Sequence, residues 1–253
     1  MRVGRYLYAN RGKIRSAARS IRKFRKSRTK QKFSRRNIGE APGTDNAKRA
    51  VTTDVAPAQY PTRTLTQYGL CDIKQGMDPD ERIRRLVNVR GFKICCEYIN
   101  LSNNPLYLNC AVVAPKAGAA TVEMDDFFRA ADGSERGRNF ANDLTAMEFH
   151  CLPINTDRYT VLKHKRHRLV PNTNGSTYES HQGHNYLNLD WYIPLKRQLR
   201  YDSSLQSNPE TGSVYFIWWA DEFFTAAGSA AAANKIGATI RSQTYFRETW
   251  GFK

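Results

Sequence analysis

Ser213-Val214-Tyr215-Phe216-Ile217-Trp218-Trp219-Ala220-Asp221-Glu222-Phe223-Phe224 is the most hydrophobic stretch of this chain. Val214, Phe216 and Trp218 occupy one parity, and Tyr215, Ile217 and Trp219 occupy the other. Neighbouring side chains of a strand point to opposite faces, so a strand of this pattern has to be covered on both. The rest of the chain must therefore supply two layers of cover.

Working outward, β-forming segments dominate. Residues 83–101 carry Leu86, Val87, Val89, Phe92, Ile94, Tyr98 and Ile99, with Gly91 predicting a bulge, a bend or two strand halves. The turn Asn103-Asn104-Pro105 leads into a strand over 106–114. Further strands are expected at 63–74, 158–170, 186–201 and 236–250. Pro194 demotes part of the 186–201 segment to an edge or a bulge. Residues 119–150 read less cleanly, with short helices expected at 125–129 and 140–147 around a polar loop holding Gly133 and Gly137. Eight or so strands without long helices between them place the chain in the all-β class, as an antiparallel sandwich or barrel.

Charge divides the chain differently. Residues 1–36 hold Arg2, Arg5, Arg11, Lys13, Arg15, Arg19, Arg22, Lys23, Arg25, Lys26, Arg28, Lys30, Lys32, Arg35 and Arg36, and no Asp or Glu. These 15 are part of 40 basic residues against 23 acidic ones, so 25 face 23 over residues 37–253, a net +2. Nearly all of the formal +17 thus sits in one arm, expected to be disordered on its own. Such a segment becomes compact only on a polyanion, most commonly nucleic acid. Ile14, Ala18, Ile21 and Phe24 are spaced for a basic helix over 14–26, and a solvated tail showing that spacing by chance is equally compatible. The cluster Arg22-Lys23-Phe24-Arg25-Lys26 fits a nuclear-import signal. Residues 37–61, with Gly39, Pro42, Gly43, Pro57 and Pro61, read as a linker, placing the start of the folded domain at residue 62 and its span at 62–253.

Lys163-His164-Lys165-Arg166-His167-Arg168 forms a second basic cluster, within the strand over 158–170. Alternation makes both faces basic. Lys163, Lys165 and Arg166 are assigned to a second nucleic-acid contact; a solvated strand edge and a salt-bridged subunit interface are the other readings. Metal binding is not expected, because His164 and His167 fall on opposite faces of a strand and His181 and His184 read as loop residues. Cys71, Cys95, Cys96, Cys110 and Cys151 contain no Cys-x-x-Cys pair and read as buried thiols in a reducing compartment. There is no Gly-x-Ser-x-Gly elbow and no phosphate-binding glycine loop, and Glu123, Asp125 and Asp126 read as favourable charge at a helix start. The expectation is a protein that is not an enzyme and needs no cofactor. Neither a secretory signal nor an apolar run of bilayer length is present, so no membrane insertion is expected.

Asp157-Arg158-Tyr159-Thr160-Val161-Leu162-Lys163 resembles the Asp-Arg-Tyr-x-Val-Leu-Arg stretch of the capsid proteins of small circular single-stranded DNA viruses, geminivirus coat proteins above all. The order of features is similar too: a basic arm, the strand over 83–101, then Trp191-Tyr192-Ile193-Pro194-Leu195, the apolar Val214–Trp219 stretch, and a last strand with Thr244-Tyr245-Phe246. As a pattern it covers most of residues 61–250. The resemblance implies an eight-stranded jelly roll whose copies close into an icosahedral shell. It further implies an arm that binds packaged circular single-stranded DNA and engages a host nuclear import receptor, with the protein found in the virion and in the host nucleus. Tyr6, Tyr8, Phe24 and Phe33 would suit stacking on unpaired bases. The rival is a cellular nucleic-acid-binding module of ribosomal or chromatin type, against which the near-neutral 37–253 region weighs.

Overall fold

Eight strands are present among the described residues: β1 Lys48–Tyr60, β2 Thr66–Gly69, β3 Leu86–Asn100, β4 Leu106–Pro115, β5 Tyr159–Leu169, β6 Tyr186–Arg200, β7 Tyr215–Glu222 and β8 Ile236–Glu248. One short helix, α1, spans Ala146–Cys151. The computed structural model describes residues 48–116, 122–124, 126–129, 144–171, 185–201, 208–223 and 235–248. The chain divides into two units, Met1–Thr44 and Asp45–Lys253, and every described residue belongs to the second. All arm residues therefore lie outside the described residues, as do His181, His184 and Asp125.

The strands pair antiparallel in a nested order: β1 with β8, β2 with β7, β3 with β6, and β4 with β5. Pairing of β3 with β8 and of β4 with β7 joins them into two four-stranded sheets, β1-β8-β3-β6 and β2-β7-β4-β5. First pairs with last, and the middle two strands pair with each other. A single long ribbon of four strand pairs has been rolled so that successive pairs alternate between two layers, which is an eight-stranded jelly roll.

Between the sheets lies one apolar layer. β3 contributes Val87 and Val89, then Phe92, Ile94, Cys96 and Tyr98, so its inward parity switches from odd to even. The switch coincides with the register shift between Val89 and Gly91, where the strand takes one residue more than β8. The bulge predicted at Gly91 is what keeps both halves of β3 facing the core. Pro194 pairs with Gly91 at a matching shift on β6, an edge strand, as its lack of a backbone donor requires.

β7 is covered on both faces, as its composition demanded. Trp218 points between the sheets, edge-on to Tyr60 at 5.1 Å and Tyr98 at 5.3 Å between ring centroids. Ile217 and Trp219 face outward with Ala111 and Val113 of β4, and Val122, Phe127, Phe128, Leu144, Phe149 and Ile154 bury them. Phe127 and Phe128 meet the Trp219 ring at 5.2 and 5.8 Å, and its Nε1 donates to the Phe149 carbonyl at 2.7 Å. The second cover thus comes from the region between β4 and β5.

Four expectations need correction. Residues 37–61 are not a linker throughout: β1 occupies Lys48–Tyr60, with Pro57 in the register shift between Val55 and Ala58. An edge strand with one solvated face and two irregularities carries few apolar residues and no clean alternation. The strand expected over 63–74 shortens to Thr66–Gly69, preceded by Arg63 at φ 63°. No helix forms over the described residues 126–129, where Phe128 instead makes an isolated bridge to Ile154. The other short helix starts later than expected, because Thr145 and Glu148 close a capping box at its start: the Glu148 amide donates to Thr145 Oγ1 at 3.3 Å and the Thr145 amide to Glu148 Oε2 at 2.8 Å. Among the described residues, no helix is long and apolar enough to cross a membrane.

Candidate nucleic-acid interface

Among the described residues β5 pairs only with β4, which leaves its other edge without a strand partner there. Its basic residues alternate. Lys163, Lys165 and His167 stand opposite Val112, Cys110 and Leu108, whose side chains line the inter-sheet core. His164, Arg166 and Arg168 stand opposite Ala111, Asn109 and Tyr107. The three body residues assigned to nucleic acid are therefore not brought together: Lys163 and Lys165 share one face and Arg166 has the other. A period of two in a paired strand permits no other outcome.

On the inner side, Lys163 places Nζ 4.5 Å from the Trp191 ring centroid across the gap between β5 and β6. Burial, then the charge of Lys165, lower its pKa. Lys165 itself is exposed. His167 is half-buried, and burial followed by Lys165 favours its neutral form.

The outer side is a knot of rings and guanidinium groups. Arg166 Nη2 donates to the Cys151 carbonyl at the end of α1 at 3.1 Å, and Arg168 lies 5.2 Å from the Phe223 ring centroid. His150, from α1, stacks on Tyr107 at 4.0 Å. Between His150 and His164 sits Asn109, its Nδ2 3.4 Å from His150 Nδ1 and its Oδ1 3.4 Å from His164 Nε2. His164 is pushed down to about 4 by burial first, then by Arg166 and His150. Burial and Arg166 also lower His150. Both rings are thus held neutral at pH 7 beside a permanent cation. No sequence spacing announced this pair, since a helix and a strand meet there across Asn109.

The stretch at 157–163 has a structural task. Tyr159 donates through its hydroxyl to Asp126 Oδ1 at 2.7 Å and accepts from the Glu123 amide at 3.1 Å. Arg158 Nε meets Asp126 Oδ2 at 2.9 Å, and Asp157 pairs with Arg129 at 4.0 Å. Asp126 is therefore an anchor for Arg158 and Tyr159 rather than charge at a helix start. These contacts pin residues 122–124 and 126–129 over the outward-facing core. Of the cysteines, Cys71, Cys96 and Cys110 are buried, Cys95 is half-buried and Cys151 exposed, so the expectation of buried thiols holds for three. Cys95 and Cys96 face opposite sides, with Cys96 in the core.

Among the described residues, no carboxylate pairs with Lys163, Lys165, Arg166 or Arg168, and no group of three or more His, Cys, Asp or Glu is placed to hold a metal ion. β5 thus carries its cations on two separated faces.

No protein-family model matches this chain, and no curated protein matches it. Among solved structures it is similar to the VP1 pentamer of human polyomavirus 6, at 9% identity and a TM-score of 0.26, over 83% of this chain and 96% of that one. It is also similar to the VP1 pentamer of human polyomavirus 7, at 11% identity and a TM-score of 0.23, over 83% and 97% of the respective chains.

Proposed function

We propose that this protein is a viral capsid subunit: its jelly roll packs with further copies into an icosahedral shell, and its arm packages a circular single-stranded DNA genome. The observation that carries the reading is the joining of two very different parts. An arm with 15 cations and no carboxylate runs into a jelly roll whose first strand begins at Lys48. Repeated in every copy of a closed shell, such an arm would concentrate positive charge on one side of the wall, where an encapsidated polyanion needs it. The motif at 157–163 supports the same reading through the resemblance it carries. Binding through the arm is independent of base sequence, with a log–log salt slope of roughly −10 if every arm cation meets a single-stranded phosphate. The arm also serves as the import signal before assembly, and the finished protein resides in the virion.

Size-exclusion chromatography with light scattering, plus the ratio of absorbance at 260 and 280 nm, tests this on the full chain and on a chain lacking residues 1–36. That deletion stops short of β1. Large particles containing nucleic acid from the full chain, and empty or absent particles from the shortened one, are expected. A monomer that binds nucleic acid without assembling overturns the reading in favour of a cellular binding module.

A further inference from the structure

We infer that the outer face of the β1-β8-β3-β6 sheet carries a second single-strand-binding site, a tyrosine shelf rimmed by arginines where the chain enters the fold. Tyr192 of β6 is 56% exposed although both of its neighbours, Trp191 and Ile193, are in the core. Its ring lies 6.2 Å from that of Tyr245 of β8, at an interplanar angle of 61°. The two residues belong to strands on either side of β3, so their rings meet across it. Gly91 makes this possible. A Cβ there would come within 2.9 Å of the Tyr192 hydroxyl and 2.5 Å of the Ile193 carbonyl. The glycine that shapes the bulge also clears the floor under the tyrosine pair.

The exposed charges at the β1 end of the shelf have one sign. Arg49 pairs in register with Tyr245, Arg247 follows on β8, and Arg90 protrudes at the bulge; all three are exposed. Lys93 stands opposite Tyr192 and pairs with Asp190 at 3.8 Å. Asp190 precedes Tyr192 by two residues on the same face of β6, and Asp54 and Glu97 lie further from Tyr245, beyond the Lys93–Gln243 row. β1 begins beside Phe246, at this end of the sheet. Aromatic faces beside arginines that have no carboxylate partner among the described residues suit unpaired bases on a phosphate chain, and they suit a base-paired duplex much less, because its bases are already stacked. The choice of ligand rests on the proposed DNA packaging, whereas the site stands on its own geometry.

The test uses the full-length protein. Ultraviolet cross-linking to oligodeoxythymidine, with the adducts mapped by mass spectrometry, should mark Tyr192 or Tyr245. Tyr192→Leu, which keeps apolar cover over Gly91, should weaken binding about tenfold at fixed salt and leave the salt slope unchanged. Arg49→Ala, Arg90→Ala and Arg247→Ala combined should make the slope shallower by about 2. Thermal melting confirms that each variant folds. Adducts confined to residues 1–47, with variant affinities unchanged, overturn the inference and leave packaging by the arm intact. Absence of any binding overturns both. Loss of assembly by Tyr192→Leu with unchanged oligonucleotide affinity also overturns it, and assigns the face to a second copy of the chain.

Discussion

Arg63 and Asp221 form an ion pair sealed from water: Nε meets Oδ2 at 3.0 Å, and the two side chains are 1% and 2% exposed. Arg63 also donates to the Leu144 carbonyl and holds its guanidinium 5.1 Å from the Phe149 ring centroid. One residue thus joins the approach to β2, the strand β7 and the cover over the outward core. Removing either partner leaves a buried charge uncompensated, at a cost of about 3–5 kcal/mol. Arg63→Ala or Asp221→Ala should therefore lower the urea midpoint sharply with little change in m-value. A loss under 1 kcal/mol would show that water reaches the pair.

Acid should loosen the seat of α1. The folded pKa of His164, about 4, lies below its ordinary value of 6.5, so the folded state binds fewer protons than the unfolded one. Stability is then level above pH 6.5 and falls as pH drops from 6.5 towards 4. Discounted for solvent screening, the loss is no more than about 2 kcal/mol. His150 shifts the same way, which reinforces the sign. Urea melts at pH 7 and pH 4.5 should differ for the native protein, and His164→Asn should flatten the difference. An unchanged profile in that variant would assign the acid sensitivity elsewhere.

Gly91 tolerates no side chain. An added Cβ would lie 2.5 Å from the backbone oxygen of Ile193, which cannot swing away as a side chain could. Gly91→Ala should destabilise by roughly 1–3 kcal/mol, as overpacking does. Thermal unfolding checks it, and a neutral result would mean that the paired bulge shifts as a unit.

Trp219 anchors the second core. Trp219→Ala removes a fully buried ring packed on Phe127 and Phe128 and deprives the Phe149 carbonyl of its donor. A loss of about 3–5 kcal/mol is expected. Within the jelly roll, limited proteolysis should then cut between β4 and β5 before it cuts elsewhere; uniform cleavage of residues 48–248 would contradict a separate outer layer.

Thr145→Ala should cost about 1 kcal/mol through the lost cap. Because α1 carries His150, the variant should also blunt the acid response, measurable in the same pair of urea melts. An acid response of full size would mean that the His150 contact does not depend on the cap.

Much of the fold was legible in the chain. Apolar residues at both parities of 214–219 required a strand covered on two sides, and β7 is one. Gly91 and Pro194 announced irregularities that turn out to face each other. The start of α1 was not read from the chain: a helix was expected over 140–147, and the capping box of Thr145 and Glu148 sets its first residue at Ala146. β1 was hidden because an edge strand needs only one modest apolar face, and its prolines and small residues resemble those of a linker.

Composition and local periodicity settled the class of the fold, the site of the bulge and the segregation of charge into an arm, because each depends on residues adjacent in the chain. Which distant residues share a face was decided by the rolling of the ribbon. Lys163 and Arg166 are close in sequence yet separated by the strand they share, while Arg49, Tyr192 and Tyr245 are far apart in sequence and are brought close by register across four neighbouring strands. Pairing fixes position across a sheet through backbone hydrogen bonds, which carry no mark in the side chains that they bring together.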